Sequence, residues 1–350
     1  MPEFSDAWGA FDEAGSVPRD DLSWRPMCSA IYQVWRADTV LPMGEPTTAA
    51  PPLPLEFPCV STSSIRNERG FSVGLALGGG FARGIAHIGV LKVLEKEKIP
   101  VGLVAGTSVG ALIGAIFCSG MPASQMEAIA VNSDFGDFAK WTITRHGLSA
   151  NERMGIFLNN LIEVGAFEEL RIPLAVMTTD LSTGEPVIFR SGPLAEAVGA
   201  SCAYPGMFLP VEINGRLLVD GVFADPVPAR SLRDAGCDPV LAVHLKTRWD
   251  AEDGARHVVE VVRRLFPTFR KRVPRYWRSC SDVIVEPDVR GFRYDEFHHA
   301  SDLIKAGENA MWAALPEFRS CLGASQRIFL NETGSHSRVI TLPNEAPPAN

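Results

Sequence analysis

The segment Leu103 to Ala115, LVAGTSVGALIGA, constrains the fold more than any other part of the chain. Its apolar beginning predicts a buried strand and its apolar end a buried helix, with Ser108 at the corner between them. Gly106 and Gly110 complete the spacing GxSxG, in which small residues let the backbone turn sharply and expose the serine hydroxyl. This pattern predicts a nucleophile elbow. The alternative is a glycine-rich turn whose serine only caps the helix.

The bulk composition predicts a folded, globular chain. Its 350 residues are 46% hydrophobic, which is enough for a core, and its net charge of -8 gives no indication of a nucleic-acid binder. Its 7 cysteines are scattered and form no CxxC pair, so we expect a reducing compartment and neither a disulfide framework nor a metal site. The first residues lack the features of a signal peptide, which predicts a cytoplasmic protein. No cofactor is predicted.

Residues 99–126 contain no charged side chain and are numerous enough to cross a bilayer. Pro100 and Pro122 bound the stretch, and Thr107, Ser108 and several glycines interrupt it. A core strand followed by a core helix is therefore the better interpretation.

Three regions follow from the distribution of proline and apolar residues. Residues 1–70 are predicted to be a largely irregular extension with a proline-rich run from 42 to 58. Residues 71–316 alternate predicted strands and helices, which indicates a three-layer α/β/α sandwich with a mostly parallel central sheet. Residues 317–350 are predicted to be a C-terminal tail.

The periodicity also places the individual elements. Besides the strand and helix around Ser108, we predict strands at residues 71–77, 172–179, 186–189, 240–245 and 282–286 and a hairpin at 212–219. Helices are predicted after the first strand and at 151–165, 193–202, 252–265 and 297–315. The first strand, its helix and the strand before Ser108 form a β-loop-α-β unit, which predicts parallel pairing and a right-handed crossover.

A glycine run, Gly78, Gly79 and Gly80, lies where the first strand meets its helix. At such a junction several backbone N–H groups can converge on one anion without side chains in the way. The run is therefore a candidate oxyanion site. A dinucleotide-binding loop is the alternative, because Gly78, Gly80 and Gly84 give GxGxxxG after a strand.

A serine nucleophile also needs a group that accepts its proton, and histidine is the usual one. Of the 7 histidines, only His244 lies at the end of a buried strand, where an α/β-hydrolase histidine would be. His87 lies within the apolar run of the first helix and is expected to be a packed core residue.

Asp220 is better placed to be this base than any histidine. The apolar strand Leu217 to Val219 buries it, and Gly221 allows a turn directly after it. The alternative is a turn aspartate that accepts hydrogen bonds from its own backbone. Asp180 and Asp225 are weaker candidates.

Three segments, LGGGFARGIAHIGVL, AGTSVGAL and LVDGVFADPVPA, occur in this order. Together they resemble the patatin-like phospholipase family, and the similarity covers Phe71 to Leu315 and includes ASCAYPG at 200–206. That family is similar to cytosolic phospholipase A2 in using a Ser-Asp dyad without histidine. The resemblance implies that Ser108 is the nucleophile and Asp220 the general base.

The resemblance also implies an oxyanion hole formed by the backbone N–H groups of Gly79, Gly80 and Phe81. Arg83 stands where the family has Arg or Lys in its glycine-rich loop. Two residues depart from the family pattern: Phe81 replaces a small residue, and Val222 replaces Gly or Ala. Catalysis needs only a backbone N–H at Phe81, but we expect its ring to narrow the acyl pocket or to cover its mouth.

The implied activity is that of a lipid acyl hydrolase, similar to phospholipase A or lysophospholipase. Asp220 would remove the Ser108 proton, Ser108 would attack an ester carbonyl, and water would release the fatty acid from the acyl-enzyme. A Ser-His-Asp esterase on a related α/β fold and a catalytically idle module that binds or regulates are the alternatives.

A lipid substrate implies contact with a membrane surface. Residues 263–278, RRLFPTFRKRVPRYWR, interleave basic and aromatic side chains, as in a loop that faces anionic headgroups. The alternative is a solvated helix end and linker. On the first interpretation the protein would be peripheral at a membrane.

Overall fold

The computed structural model describes residues 73–132, 152–246 and 276–332. The predicted extension 1–70, the predicted helix at 252–265 and residues 263–275 of the basic stretch lie outside these ranges. The strands are β1 (Val73–Leu77), β2 (Val101–Thr107), β3 (Leu174–Asp180), β4 (Pro186–Phe189), β5 (Val211–Ile213), β6 (Arg216–Asp220), β7 (Val240–Val243) and β8 (Val283–Val285). The α-helices are α1 (Ala86–Lys96), α2 (Val109–Cys118), α3 (Ala123–Val131), α4 (Glu152–Leu161), α5 (Leu194–Ser201), α6 (Ala229–Asp234), α7 (Tyr276–Ser279) and α8 (Ala300–Glu332).

Within the described ranges the strands form one 8-stranded sheet in the order β5-β6-β3-β2-β1-β7-β8, with β4 also paired to β3. Neighbouring strands in the run β3-β2-β1-β7-β8 pair in parallel. The pairs β3 with β4, β3 with β6, and β5 with β6 are antiparallel. The predicted parallel pairing of β1 with β2 and the predicted hairpin at 212–219 are confirmed.

Helices cover both faces of this sheet. Side chains alternate along β1, so that Leu75 belongs to a large core with α1, α2, α3, α5 and α8, whereas Ala76 belongs to a second core on the opposite face. The second core includes Leu232 of α6 and Trp277 of α7. The predicted three-layer α/β/α sandwich is therefore confirmed.

The pairing of β3 determines what meets at the centre of the sheet. β4 pairs with residues 176–179 of β3, so β2 and β6 must share the other edge. Along that edge β2 pairs with residues 174–177 and β6 with residues 178–180. The carboxyl ends of β2 and β6 therefore meet at neighbouring positions of β3.

Three helices, α3, α6 and α7, were not predicted, and α8 is longer than the predicted helix at 297–315. α6 spans only 6 residues, too few for a periodic pattern. α8 continues through Pro316 because its apolar face continues: Phe318 is fully buried, and Cys321 and Leu322 pack against the large core. This burial offsets the roughly 3 kcal/mol that a proline costs inside a helix.

The uncharged residues 99–126 form β2, α2 and the start of α3, as the interpretation of a core strand and a core helix predicts. None of the helices in the described ranges combines the length and hydropathy of a membrane span.

α1 and α8 cross with their backbones in close approach. A Cβ atom added at Gly89 would lie 2.0 Å from the carbonyl oxygen of Ile304, and one added at Gly307 would lie 1.9 Å from that of Ala86. Neither contact leaves room for a methyl group, so glycine is required at both positions. Further along the same helix, Gly323 has open space around it.

We predict that Gly307→Ala lowers the free energy of unfolding by about 2 kcal/mol or more, because the two helices must separate to admit the methyl group. Gly323→Ala, in the same helix, should raise it by up to about 1 kcal/mol, because alanine favours the helix. Urea unfolding of both variants measures the difference. Equal effects would contradict the close crossing.

Candidate active site

Ser108 lies between the last residue of β2 and the first residue of α2. Its backbone has φ 56° and ψ −127°, a conformation that costs a residue other than glycine about 1–3 kcal/mol. The turn is so tight that a Cβ atom at Gly110 would lie 2.2 Å from the carbonyl oxygen of Leu77. The predicted strand, sharp turn and helix are therefore confirmed, and glycine is needed for the approach of strand and helix.

Asp220 ends β6, and the sheet register brings it to Ser108. Thr107, the residue before Ser108, pairs with Met177, whereas Asp220 pairs with the next residue of β3, Thr178. The Ser108 hydroxyl donates a hydrogen bond of 2.6 Å to Oδ2 of Asp220. Two residues 112 positions apart thus form one pair.

The second carboxylate oxygen of Asp220 also accepts a hydrogen bond. Oδ1 accepts a hydrogen bond of 2.9 Å from the backbone N–H of Val222. Because a backbone group makes this bond, the departure of Val222 from the family pattern leaves it intact. The turn after Asp220 requires Gly221, where a Cβ atom would lie 2.2 Å from the carbonyl oxygen of Met177.

The carboxyl group of Asp220 is buried, with 1% of its residue surface exposed. Burial raises its pKa from 3.8 to about 7, and the hydrogen bonds from Ser108 and Val222 oppose this shift. Among the described residues, no cation forms a salt bridge with it. A carboxyl that titrates near neutral pH is suited to accept a proton from a hydroxyl.

The glycine run lies against Ser108, as the candidate oxyanion site requires. A Cβ atom at Gly79 would be 3.3 Å from Cβ of Ser108. The peptide between Gly78 and Gly79 is held at both ends: His87 Nε2 bonds the Gly78 carbonyl at 2.8 Å, and the Gly79 N–H donates to Pro226 at 3.2 Å. The Gly79 N–H is thus engaged within the protein, which departs from the predicted oxyanion role. In the described part of the chain, no backbone carbonyl accepts a hydrogen bond of this kind from the N–H group of Gly80 or of Phe81.

Phe81 has a φ of 52°, in the left-handed region that favours glycine. Its ring packs edge-on against Tyr204, with ring centroids 5.0 Å apart, and against Tyr294, at 5.7 Å. The ring lines the cavity described below, as expected of a residue that narrows a pocket. Arg83 and Gly84 are buried just after it, and a Cβ atom at Gly84 would overlap the Val109 side chain.

A cavity of about 100 Å³ opens onto Ser108. Helices α2, α3 and α4 provide most of its walls, and Ser108 is the only hydroxyl-bearing residue among the described ones that line it. Cys202 lines it too, and burial raises the pKa of its thiol, which keeps the thiol protonated and weakly nucleophilic at neutral pH. The cavity can therefore take an apolar chain with its reactive end at Ser108.

The other predicted candidates lie in different surroundings. His244 Nδ1 forms a hydrogen bond of 3.0 Å with Glu286, the residue directly after β8, and burial lowers the pKa of His87 to about 4 inside the core. Asp180 accepts N–H bonds from Ser182 and Thr183, as a turn aspartate does. Asp225 is half-buried, desolvation raises its pKa to about 7, and its Oδ1 accepts a hydrogen bond from the N–H of Val227.

Sequence reasoning missed the residues that hold the pair in place. The Ser108 N–H donates to Ser201 Oγ, the Asp220 N–H donates to the Ala203 carbonyl, and the Thr179 hydroxyl donates to the Asp220 carbonyl. The segment ASCAYPG was the available signal, because it contains both Ser201 and Ala203.

Fold and site together define an α/β protein with a serine and a carboxyl group at the carboxyl end of its sheet. Residues 75–233 match the Patatin family, described as patatin-like phospholipase. The family predicted from the three sequence motifs is confirmed, and the matched segment is a patatin-like domain.

Several curated proteins are similar to this chain. An NTE family protein from Mycobacterium tuberculosis is 32% identical over 204 residues, which cover 54% of this chain and 53% of that protein. A patatin-like phospholipase domain-containing protein from Caenorhabditis elegans is 35% identical over 181 residues, 49% of this chain and 13% of that protein. The chain therefore spans about half, or less, of the length of the curated relatives that it matches.

Among solved structures, VipD from Legionella pneumophila has a TM-score of 0.42 and 14% identity, covering 70% of this chain and 66% of that chain.

We predict that Asp220→Asn removes a pH-dependent loss of stability. Between its ordinary pKa of 3.8 and the folded value of about 7, Asp220 is ionised in the unfolded chain and protonated in the folded one. The free energy of unfolding of the parent protein therefore falls by about 1.4 kcal/mol per pH unit across this range because of Asp220. The amide does not titrate, so this contribution is absent from the variant.

Thermal unfolding at several pH values from about 5 to about 8 measures this effect. The melting temperature of Asp220→Asn minus that of the parent protein should increase as the pH rises. Asp225 is retained in both proteins, so its own titration cancels from the comparison. A difference that stays constant with pH would contradict a raised pKa at Asp220.

Proposed function

We propose that this chain is a lipid acyl hydrolase that cleaves carboxylic esters through Ser108 and Asp220. The observation that carries the proposal is the hydrogen bond of 2.6 Å between the Ser108 hydroxyl and the buried Asp220 carboxyl, at the end of an apolar cavity. The match of residues 75–233 to a phospholipase family supports the same class of substrate.

In the first half of the reaction, ionised Asp220 accepts the hydroxyl proton through Oδ2 while Ser108 Oγ attacks the ester carbonyl. The tetrahedral intermediate then collapses, and Asp220 returns the proton to the leaving alcohol. The acyl group remains esterified to Ser108, with its chain in the apolar cavity. The direct contact needs no intervening histidine, because the raised pKa makes the carboxylate a sufficient base.

The negative charge of the intermediate falls on the former carbonyl oxygen. We assign its stabilisation to the backbone N–H groups of Gly80 and Phe81 and to the N-terminus of α2. Gly79 contributes by its lack of a side chain, which lets the loop approach Ser108. This assignment differs from the family pattern only in the engaged N–H of Gly79.

In the second half, Asp220 accepts a proton from water, whose oxygen attacks the acyl-enzyme. The fatty acid leaves, and Ser108 recovers its proton from Asp220. The lipid headgroup would stay outside the apolar cavity. Membrane contact through the basic stretch at 263–278 remains a prediction, of which only residues 276–278 are described.

Ester hydrolysis by Asp220→Asn and His244→Ala tests the proposal. We expect Asp220→Asn to reduce kcat on a p-nitrophenyl ester by about 1000-fold or more, because the amide cannot take the proton. His244→Ala should remain within about threefold of the parent protein, because its ring bonds Glu286. Ser108→Ala gives the background rate.

The reverse pattern, with activity lost in His244→Ala and retained in Asp220→Asn, would assign the chain to the Ser-His-Asp esterases. Absence of hydrolysis together with failure of a fluorophosphonate probe to label Ser108 in folded protein would assign it to the catalytically idle modules.

The Phe81 ring provides a separate prediction about acyl selectivity. Phe81→Gly keeps the backbone N–H, suits the φ of 52° and removes the ring from the cavity wall. We expect activity on short esters to stay within about tenfold of the parent and the preference to shift toward bulkier acyl groups. Hydrolysis of p-nitrophenyl esters from acetate to palmitate measures this profile. An unchanged profile would show that the ring does not limit the acyl site.

A further inference from the structure

Ser201, the last residue of α5, is fully buried, and its hydroxyl both accepts and donates a hydrogen bond. Its Oγ accepts a hydrogen bond of 2.8 Å from the backbone N–H of Ser108, and its hydroxyl donates one of 2.6 Å to the carbonyl oxygen of Met177. A hydroxyl carries one proton and can accept with its lone pairs, so the two bonds have opposite directions. The hydroxyl orientation is thereby fixed, and so is the direction in which the Ser108 amide must point.

The residues that follow Ser201 extend this contact to the other member of the pair. Cys202 lines the cavity beside Ser108, and the carbonyl oxygen of Ala203 accepts the backbone N–H of Asp220 at 3.0 Å. Three consecutive residues, 201–203, thus touch both the nucleophile and the base. They form a backbone clamp across the two strand ends.

Met177 connects the clamp to the sheet. It pairs with Thr107 and precedes Thr178, the residue that pairs with Asp220. Ser201 therefore ties the Ser108 backbone to the strand residue around which the pair is assembled.

Ser108 needs such an anchor because of its backbone conformation. A serine at φ 56° keeps this geometry only when its surroundings impose it. The bonds in which Ser108 O accepts from Ala111 and Leu112 belong to the start of α2 and hold the carbonyl side. On the amide side, the contact described by the structure is the Ser201 hydroxyl.

We infer that Ser201 is a positioning residue, which holds the Ser108 backbone so that Oγ stays aimed at Asp220. It touches neither substrate nor the transferred proton. This inference rests on the proposed function, because it assigns Ser201 a role in the same ester hydrolysis. It adds the anchor on which the geometry of the dyad depends.

The test compares Ser201→Ala, Ser201→Thr and the parent protein on p-nitrophenyl butyrate. We expect Ser201→Ala to lower kcat by about 100-fold, because a displacement of about 1 Å at a reacting group has that effect, and to leave KM within about twofold. Ser201→Thr keeps the hydroxyl and should recover most of kcat. The rate of Ser108 labelling by a fluorophosphonate should fall and recover in parallel.

Ser231→Ala is the matched control. Ser231 is also a buried serine, and its hydroxyl donates to the carbonyl of Pro228 at 2.8 Å, but it lies on α6 against the opposite face of the sheet. It should lose a similar amount of thermal stability and keep kcat within about twofold of the parent.

A double-mutant cycle separates positioning from a general structural effect. If Ser201 acts through the Ser108–Asp220 contact, its replacement should cost little further activity once Asp220→Asn has removed that contact. A structural role would instead give losses that multiply. Should Ser201→Ala fail to fold, Ser201→Cys replaces it, because sulfur is a weak acceptor and should reduce kcat in the same way.

The outcomes distinguish this inference from the proposed function. An active parent protein with kcat unchanged in Ser201→Ala, or in its cysteine replacement, overturns the positioning role and leaves the Ser-Asp dyad intact. A parent protein without esterase activity or labelling overturns the proposed function itself, and the positioning role with it.

Discussion

The short hydrogen bond between Ser108 and Asp220 depends on a carboxyl group that is buried and that forms no salt bridge with any cation in the described part of the chain. Burial raises the pKa of Asp220 to about 7, so the same desolvation that costs stability gives the group a basicity near that of histidine. A salt bridge to this carboxyl would lower its pKa and weaken the base. The surroundings of the pair are accordingly backbone N–H groups, hydroxyls and apolar side chains.

β3 is the element that brings the pair together. Its first half pairs with the strand that leads into Ser108, and its second half pairs with the strand that ends at Asp220. Because both partners share one edge of β3, their ends meet without any flexible linker between the reacting groups. At the end of α5, Ser201 accepts a hydrogen bond from the backbone N–H of Ser108, and Ala203, two residues later, accepts one from the backbone N–H of Asp220. The geometry is therefore imposed by the sheet register and by the backbone clamp of residues 201–203.

Local patterns in the sequence predicted Ser108, Asp220 and most elements of the sheet, because glycine spacing, apolar runs and the turn of the hairpin at 212–219 act over short distances. The contact between the two residues came from the family resemblance, since no periodicity reports the register of β3 with β2 and β6. Ser201 was missed because a serine at a helix end resembles many others until its partner is visible. The engaged N–H of Gly79 and the continuation of α8 past Pro316 also depend on contacts distant in the chain.

The pH dependence of Ser108 acylation by a fluorophosphonate tests the central claim most directly. Because only ionised Asp220 can take the proton, and its pKa is about 7, the labelling rate should rise about tenfold per pH unit below that value and level off above it. His244→Ala should show the same profile. A rate already at its plateau near pH 5, or a profile that disappears in His244→Ala, would contradict a buried carboxylate as the base.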